Sequence, residues 1–228
     1  GARVRKQDLG EECPETVIET LPLDIPEAAA IEQEWRNTEE MLERLASQMS
    51  GDALDRKRRN AHLKMWHRCE MALVPYLATR IKKDIADGNS VAVFMNFNDS
   101  RIALSRLLNT TAGFYGGQPL ARRQYWEREF QANRQHVLIS NIGAGGASVS
   151  LHDTTGDRPR IAYILPTDHV IKLEQATGRV DRVGGQTVSR QYIPFVAGSI
   201  TARMIERTRR KMKNIDTIND GHTSTSRF

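Results

Sequence analysis

The sequence predicts an α/β fold: a doubly wound parallel sheet with helices on both faces, preceded by an N-terminal helical extension. After residue 88, segments with helical periodicity alternate with four short apolar runs, VAVFM, HVLIS, IAYILP and QYIPFV, at 91–95, 136–140, 161–166 and 191–196. Near-continuous apolar strands joined by helices are typical of a parallel sheet that is covered on both faces. Right-handed crossovers leave few other topologies.

The composition is that of a globular protein without a membrane partner. The 228 residues are 39% hydrophobic and 27% charged, and no apolar run is long enough to cross a bilayer. The net charge of +5 suits a polyanionic partner but does not require one. Cys13 and Cys69 match neither a disulfide framework nor a metal site. We therefore expect an intracellular protein, in the cytoplasm of a bacterium or phage-infected cell or in a eukaryotic nucleus.

Two regions precede the predicted sheet. Residues 1–26 contain three prolines, which predicts an extended interdomain linker. Residues 27–87 form the helical extension, with apolar residues at helical spacing up to Gly88. These helices can pack on the core or form a separate protrusion. The basic run DRKRRN at 55–60 is typical of a solvated helix face, with a nucleic-acid contact as the alternative.

The region from 88 to 218 forms the main domain, and 219–228 is predicted to be a flexible tail. The helices of the main domain are expected at Ser100–Leu108, with Asp99 as N-cap, at Arg122–Ala132 and at Ile200–Ile218. A further helix begins near Asp168. In a doubly wound sheet, ligands bind at the carboxyl ends of the strands, so the loops at that edge are the candidate sites.

The first such loop has the sequence SNIGAGGASVS at 140–150. Its three glycines allow backbone N–H groups to approach an anion closely. A tight turn without a ligand explains them equally well, because the loop lacks the Gly-Lys-Ser/Thr end of a P-loop.

The second loop lies within QATGRVDRVGGQ at 175–186. We expect Gly178 to interrupt the helix there, so that the guanidinium groups of Arg179 and Arg182 project from the edge of the sheet. A guanidinium stays charged and donates two parallel hydrogen bonds, which suits a phosphoryl group that gains negative charge. The alternative is a pair of exposed arginines, with Arg182 bound to Asp181.

Four blocks in order, SVAVFMNFNDSRIAL, YGGQPLARRQYWEREFQ, VLISNIGAGGASVSL and QATGRVDRVGGQ, resemble the motifs of the second, C-terminal RecA-like domain of superfamily 2 helicases. The resemblance covers about residues 88–215 and is closest to Swi/Snf-type DNA translocases. The chain departs from that pattern in two places. Gly185 looks like an insertion, and Ser148 and Ser150 replace a glycine and an asparagine.

The resemblance implies a role in ATP hydrolysis. Arg179 and Arg182 would be arginine fingers that reach the γ-phosphate, and Gln175 and Gly178 would help to bind the nucleotide. ATP and Mg²⁺ would be held mainly by an N-terminal RecA-like domain of the same polypeptide. We therefore expect this chain alone to be inactive as an ATPase.

The resemblance also implies a nucleic-acid surface. The candidate contacts to the backbone are Ser140, Gly145, Gly146, Asn96 and Arg123. Duplex DNA is favoured over single-stranded DNA, and both are favoured over RNA.

Two rival functions remain. A non-catalytic nucleic-acid-binding or scaffolding module with a degenerate helicase fold would explain the divergent glycine loop and the missing P-loop. A small-molecule enzyme has less support, because the six histidines are scattered and no metal-ligand spacing is present.

Overall fold

The sheet lies at the centre of the molecule. A computed structural model describes residues 16–144 and 149–220, the last ten as backbone only. The strands are β1 (Thr16–Leu23), β2 (Ser90–Met95), β3 (Val137–Asn141), β4 (Arg160–Ile164) and β5 (Ser189–Val196). Their order is β1-β5-β4-β2-β3, and all neighbours are parallel. The predicted parallel sheet is confirmed, and all carboxyl ends of the strands lie at one edge.

Helices cover both faces of the sheet. They are α1 (Ala28–Gln48), α2 (Asp52–Ala86), α3 (Asn98–Leu107), α4 (Leu120–Gln131), α5 (Val170–Val180) and α6 (Ile200–Asp220). Successive side chains of a strand point to opposite faces. In β2, Val91 and Val93 therefore join the core under α1, α2 and α3, while Ala92 and Phe94 join the core under α4 and α5.

The second half of the predicted linker belongs to the sheet. β1 is extended, as expected, but it pairs with β5 over eight residues. The hydroxyl groups of Thr16 and Ser189 lie 3.2 Å apart at the start of this pairing. Because β1 is an edge strand, Pro22 can be accommodated in it.

The helical extension packs on the sheet. Cys69, Leu73, Leu77 and Ile81 of α2 are fully buried in the same core as β2 and β4. Of the two arrangements that the sequence left open, packing on the core therefore describes the second half of α2.

α2 runs antiparallel to β2. Asn96, just after β2, hydrogen-bonds to Glu70, whereas Asn89, just before β2, donates to the carbonyl of Asp84. Trp66 donates from Nε1 to the carbonyl of Pro166, 3.0 Å away, beyond the carboxyl end of β4. The residues of α2 before Trp66 consequently extend past the carboxyl edge of the sheet.

Two local predictions were wrong. Phe97 is the N-cap residue of α3, and Asp99 lies inside its first turn. α5 continues through Gly178 to Val180, so this glycine does not interrupt the helix. None of the helices in the described ranges has both the length and the apolar character needed to cross a bilayer.

Candidate nucleotide and nucleic-acid sites

The two arginines of the second loop lie against the end of the glycine loop. Arg179 is in the last turn of α5, with Nη1 at 3.5 Å from the carbonyl oxygen of Val149. Arg182 donates from Nη1 to Ser150 Oγ at 2.8 Å and from Nε to the carbonyl of Gly178 at 3.3 Å. The structure thus brings together two motifs that are about 30 residues apart in sequence.

The two guanidinium groups differ in exposure. Arg179 is only 8% exposed, whereas Arg182 is partly exposed. The expectation that both side chains project from the edge of the sheet is therefore wrong for Arg179. Because α5 does not end at Gly178, Arg179 stays on the buried face of the helix, where its backbone carbonyl also accepts a hydrogen bond from Leu151 at 2.9 Å.

A carboxylate accompanies this pair of cations. Burial lowers the pKa of Arg179, the positive charge of Arg182 lowers it further, and the charge of Glu127 opposes both effects. Glu127, on α4, also accepts a hydrogen bond from the backbone N–H of Ser150 at 2.7 Å. Sequence reasoning missed Glu127, because only the fold places α4 beside the glycine loop.

A glycine turn follows the arginines. The N–H of Gly185 donates to the carbonyl of Arg182 at 3.1 Å, and Gly184 between them has φ of +86°. That left-handed conformation favours glycine. Gly185, which looked like an insertion, completes this turn, and the N–H of Gln186 then donates to the carbonyl of the buried Asp153 at 2.9 Å.

Gln175 and Gly178 lie on α5 near the arginines. Gln175 is exposed and precedes Arg179 by one helical turn, so the two residues share a side of the helix. Gly178 is also exposed, and a Cβ atom added there would meet no atom within 4 Å. The helix does not require a glycine at this position for space.

A broad cleft lies at the carboxyl edge of the sheet, with a volume of about 680 Å³. The residues that line it include the cationic Arg123 and Lys172, the aromatic Trp66 and Phe97, and His169. The two rings contact each other edge to face, with centroids 5.0 Å apart. Cations bind phosphate groups and rings stack on bases, so this lining suits a nucleic-acid strand.

The predicted nucleic-acid contacts separate into three groups. Asn96 and Arg123 line the cleft, and Arg123 also donates to the carbonyl of Tyr115 at 2.9 Å. Ser140 does not line it, since its side chain is fully buried and its Oγ accepts the N–H of Phe114 at 3.1 Å. Gly145 and Gly146 lie outside the described residues.

One buried acid organises the wall of the cleft. The Glu70 carboxylate, 1% exposed, accepts the N–H groups of Asn96 and Phe97 at 3.1 Å, the amide of Asn96 at 2.7 Å and the hydroxyl of Ser100. Burial raises the pKa of Glu70, and these hydrogen bonds oppose the shift. Glu70 thereby satisfies backbone donors at the start of α3. The only sequence signal was an acid within an apolar helical run.

The arginine pair can meet an anionic group such as a phosphate. Arg182 offers a partly exposed guanidinium group, with Arg179 behind it. No cluster of His, Cys, Asp or Glu that could hold a metal ion occurs among the described side chains, at 16–144 and 149–210.

A named viral relative covers nearly the whole chain. No protein-family profile matches the chain. Over 222 residues the chain is 29% identical to a protein of Acanthamoeba polyphaga mimivirus named "Putative ATP-dependent RNA helicase L364", covering 96% of the chain and 41% of that protein. The chain thus spans less than half the length of this relative.

Solved structures of other proteins share the fold. The C-terminal part of the Fun30 ATPase domain superposes with a TM-score of 0.62 at 12% identity, covering 86% of this chain and 90% of that one. The chain has a RecA-like fold. A Sulfolobus solfataricus SWI2/SNF2 ATPase core, solved with dsDNA, superposes with a TM-score of 0.58 at 17% identity, covering 91% of the domain and 47% of that chain.

These relatives confirm the RecA-like fold and the resemblance to Swi/Snf-type proteins. The chain is thus similar in sequence to a protein named as a helicase and similar in fold to SWI2/SNF2-type ATPase domains. In the domain, the arginine pair and the carboxyl-edge cleft are separate sites, because α5 begins beside the cleft at Val170 and ends at the arginines.

Proposed function

We propose that the domain is the C-terminal half of an ATP-dependent DNA helicase or translocase of superfamily 2, in which Arg182 and Arg179 serve an ATP molecule held mainly by an N-terminal RecA-like domain. One observation carries this proposal. Arg182 is partly exposed and is fixed in direction by Ser150 Oγ at 2.8 Å, with a second arginine behind it. A fixed cation at a surface can stabilise charge that develops on a partner's ligand.

The two arginines take different roles in this proposal. Arg182 donates to the γ-phosphoryl group as negative charge increases in the transition state. Arg179 is a positioning residue, because its buried guanidinium group lies against the carbonyl of Val149. It thereby holds the end of the glycine loop, where the neighbouring Ser150 orients Arg182. Glu127 reduces the repulsion between the two cations. ATP with Mg²⁺ supplies the phosphoryl group, and Gln175 helps to bind the nucleotide.

The carboxyl-edge cleft is the proposed nucleic-acid track. Arg123 and Lys172 bind phosphate groups, and Asn96 holds the loop that carries Phe97. Contacts to phosphate give affinity without sequence readout, which a motor that moves along DNA requires. One relative was solved with dsDNA and another is named for RNA. Duplex DNA is proposed here, since the Swi/Snf-type resemblance is the more specific one.

The test is the substitution Arg182→Ala in the complete protein. Hydrolysis should fall about 10³-fold, the effect typical of an arginine finger, while DNA affinity without nucleotide stays unchanged. Arg182→Lys should not restore the rate, because a lysine cannot reproduce the bidentate fork. Arg128→Ala is the matched control, since Arg128 is an exposed arginine on α4. A rate for Arg182→Ala within about twofold of wild type would refute the assignment, because that factor corresponds to less than about 0.5 kcal/mol.

A second candidate is the non-catalytic nucleic-acid-binding module. The burial of Arg179 favours it, because a side chain 8% exposed is not presented to a partner domain. The same experiment separates the two functions. A wild-type complete protein that binds DNA but does not hydrolyse ATP, with or without DNA, supports the module.

A further inference from the structure

The hairpin of α1 and α2 places a cluster of cations outside both sites described above. Four consecutive residues, Arg56, Lys57, Arg58 and Arg59, are all exposed, and we call them the basic tetrad. Leu54 is the only buried residue between 51 and 60. Four consecutive residues point around most of a helix, since each is turned by about 100° from the last. This part of α2 is therefore surrounded by solvent on nearly every side.

The tetrad lies beyond the carboxyl edge of the sheet. Trp66 marks that edge through its bond to Pro166, and α2 runs antiparallel to β2. The tetrad precedes Trp66 by seven to ten residues, which corresponds to about 10–15 Å along the helix axis. α1 accompanies α2 outwards, as the contacts of Trp35 with His62 and of Glu34 with Arg68 indicate.

Among the described side chains, no acid forms an ion pair with the tetrad. Asp52 and Asp55 precede Arg56 and Arg59 by four residues, a favourable spacing for ion pairs. Within the described ranges, however, no ion pair involves any of the four cations. On α1, Glu39 is bound to Arg203 and Glu40 lies 3.7 Å from Arg44. The tetrad thus remains available to a polyanion.

We propose that the basic tetrad binds the phosphate backbone of duplex DNA, as a second contact beside the carboxyl-edge cleft. The proposal rests on the proposed nucleic-acid function of that cleft. The major groove of B-DNA is about 12 Å wide and separates the two backbones. The tetrad stands at a similar distance from Trp66 in the cleft wall. A duplex can therefore place one strand at the cleft and the other strand at the tetrad. A single strand that is bound in the cleft does not reach the tetrad.

The test uses a quadruple variant, Arg56→Ala, Lys57→Ala, Arg58→Ala and Arg59→Ala, in the 228-residue chain. Binding to a duplex of 20 base pairs and to one of its single strands is measured as a function of salt concentration. Each lost phosphate contact makes the slope of log K against log salt shallower by about 0.9 for duplex DNA. We expect the slope for the duplex to become shallower by about 2–4, and the slope for the single strand to stay unchanged.

The matched control is Lys82→Ala with Lys83→Ala, at the other end of the same helix. Both lysines are exposed, and they lie more than 20 residues from the tetrad. The control should leave both slopes unchanged, and the melting temperatures of both variants should match that of wild type, since all the replaced side chains are solvated.

Each other outcome overturns the inference. If the quadruple variant changes the salt slope for the duplex by less than about 0.9, the tetrad makes less than one phosphate contact. The tetrad then does not bind DNA, and an acidic protein is the remaining class of partner. If the salt slope for the single strand changes as much as the slope for the duplex, the two-strand arrangement is refuted. If the lysine control changes the slope by the same amount per removed charge, the effect arises from net charge and not from the tetrad. If wild type binds neither DNA, the proposed nucleic-acid function fails together with the inference. If wild type binds and the quadruple variant binds equally well, the inference alone fails.

Discussion

Replacing Glu70 by alanine should destabilise the domain through the loop at the wall of the cleft. In Glu70→Ala, the side chains of Asn96 and Ser100 keep partners, because the amide of Asn96 still donates to Pro166 and the hydroxyl of Ser100 to the carbonyl of Phe97. The backbone N–H groups of Asn96 and Phe97 lose their acceptor. An unsatisfied buried donor costs about 1–3 kcal/mol.

Two such donors predict a loss of about 2–6 kcal/mol in the free energy of unfolding. Water can enter from the cleft beside Asn96 and Phe97, so we expect a value near 3 kcal/mol, toward the lower half of that range. For a domain of this size, the melting temperature should fall by roughly 6–12 °C.

The assay is thermal unfolding followed by circular dichroism, supported by urea titration. Glu43→Ala is the control, because Glu43 is an exposed acid on the outward part of α1, and it should change stability by less than about 0.5 kcal/mol. A loss below about 1 kcal/mol for Glu70→Ala would mean that the two N–H groups find other acceptors. The account of this loop would then be wrong.

The remaining predictions concern the same fold and sites. Burial raises the pKa of Glu70 above its usual value of 4.5. The folded domain therefore binds a proton on the Glu70 carboxylate more tightly than the unfolded chain does, and the protonated group contributes most to stability below pH 4.5. The stability difference between wild type and Glu70→Gln, from urea titrations, should therefore shift in favour of wild type as the pH falls from 7 towards 4.5, and no shift would contradict the direction of the pKa. In Gly113→Ala, the new Cβ atom would lie 1.8 Å from the carbonyl oxygen of Ile139. It should cost about 3 kcal/mol or more, whereas Gly116→Ala, with no atom within 4 Å, should fold normally. Finally, the purified chain should show no ATP turnover with or without DNA, and turnover would contradict the division of the site between two domains.

The regular elements could be predicted because their signals are local. The apolar run VAVFM and most of the run IAYILP lie in strands that are buried on both faces. α1 and α2 lie within the helical region predicted at 27–87, and α6 begins at the predicted Ile200. The position of β1 could not be predicted in this way. Its residues pair with β5, more than 170 positions later, and periodicity carries no information about that partner.

The candidate site was less predictable than the fold. Sequence reasoning predicted Arg179 and Arg182 as site residues, but it could not tell that Arg179 would be buried, because Gly178 does not end α5. It also missed Glu70 and Glu127. Both act on residues from other elements, Asn96 and Ser150, and such contacts arise only when the helices pack.

The continuity of α2 gives it the properties of a lever. At about 1.5 Å per residue, its 35 residues extend roughly 50 Å from the tip of the hairpin to the amino edge of the sheet. Pro75 removes one N–H from the hydrogen bonds of the helix, but Cys69 and Leu73 before it and Leu77 and Ile81 after it are all buried in one core. The anchored part of α2 therefore begins near Met65, which belongs to the same core. A load on the basic tetrad would consequently act at that point, beside Trp66 in the wall of the cleft.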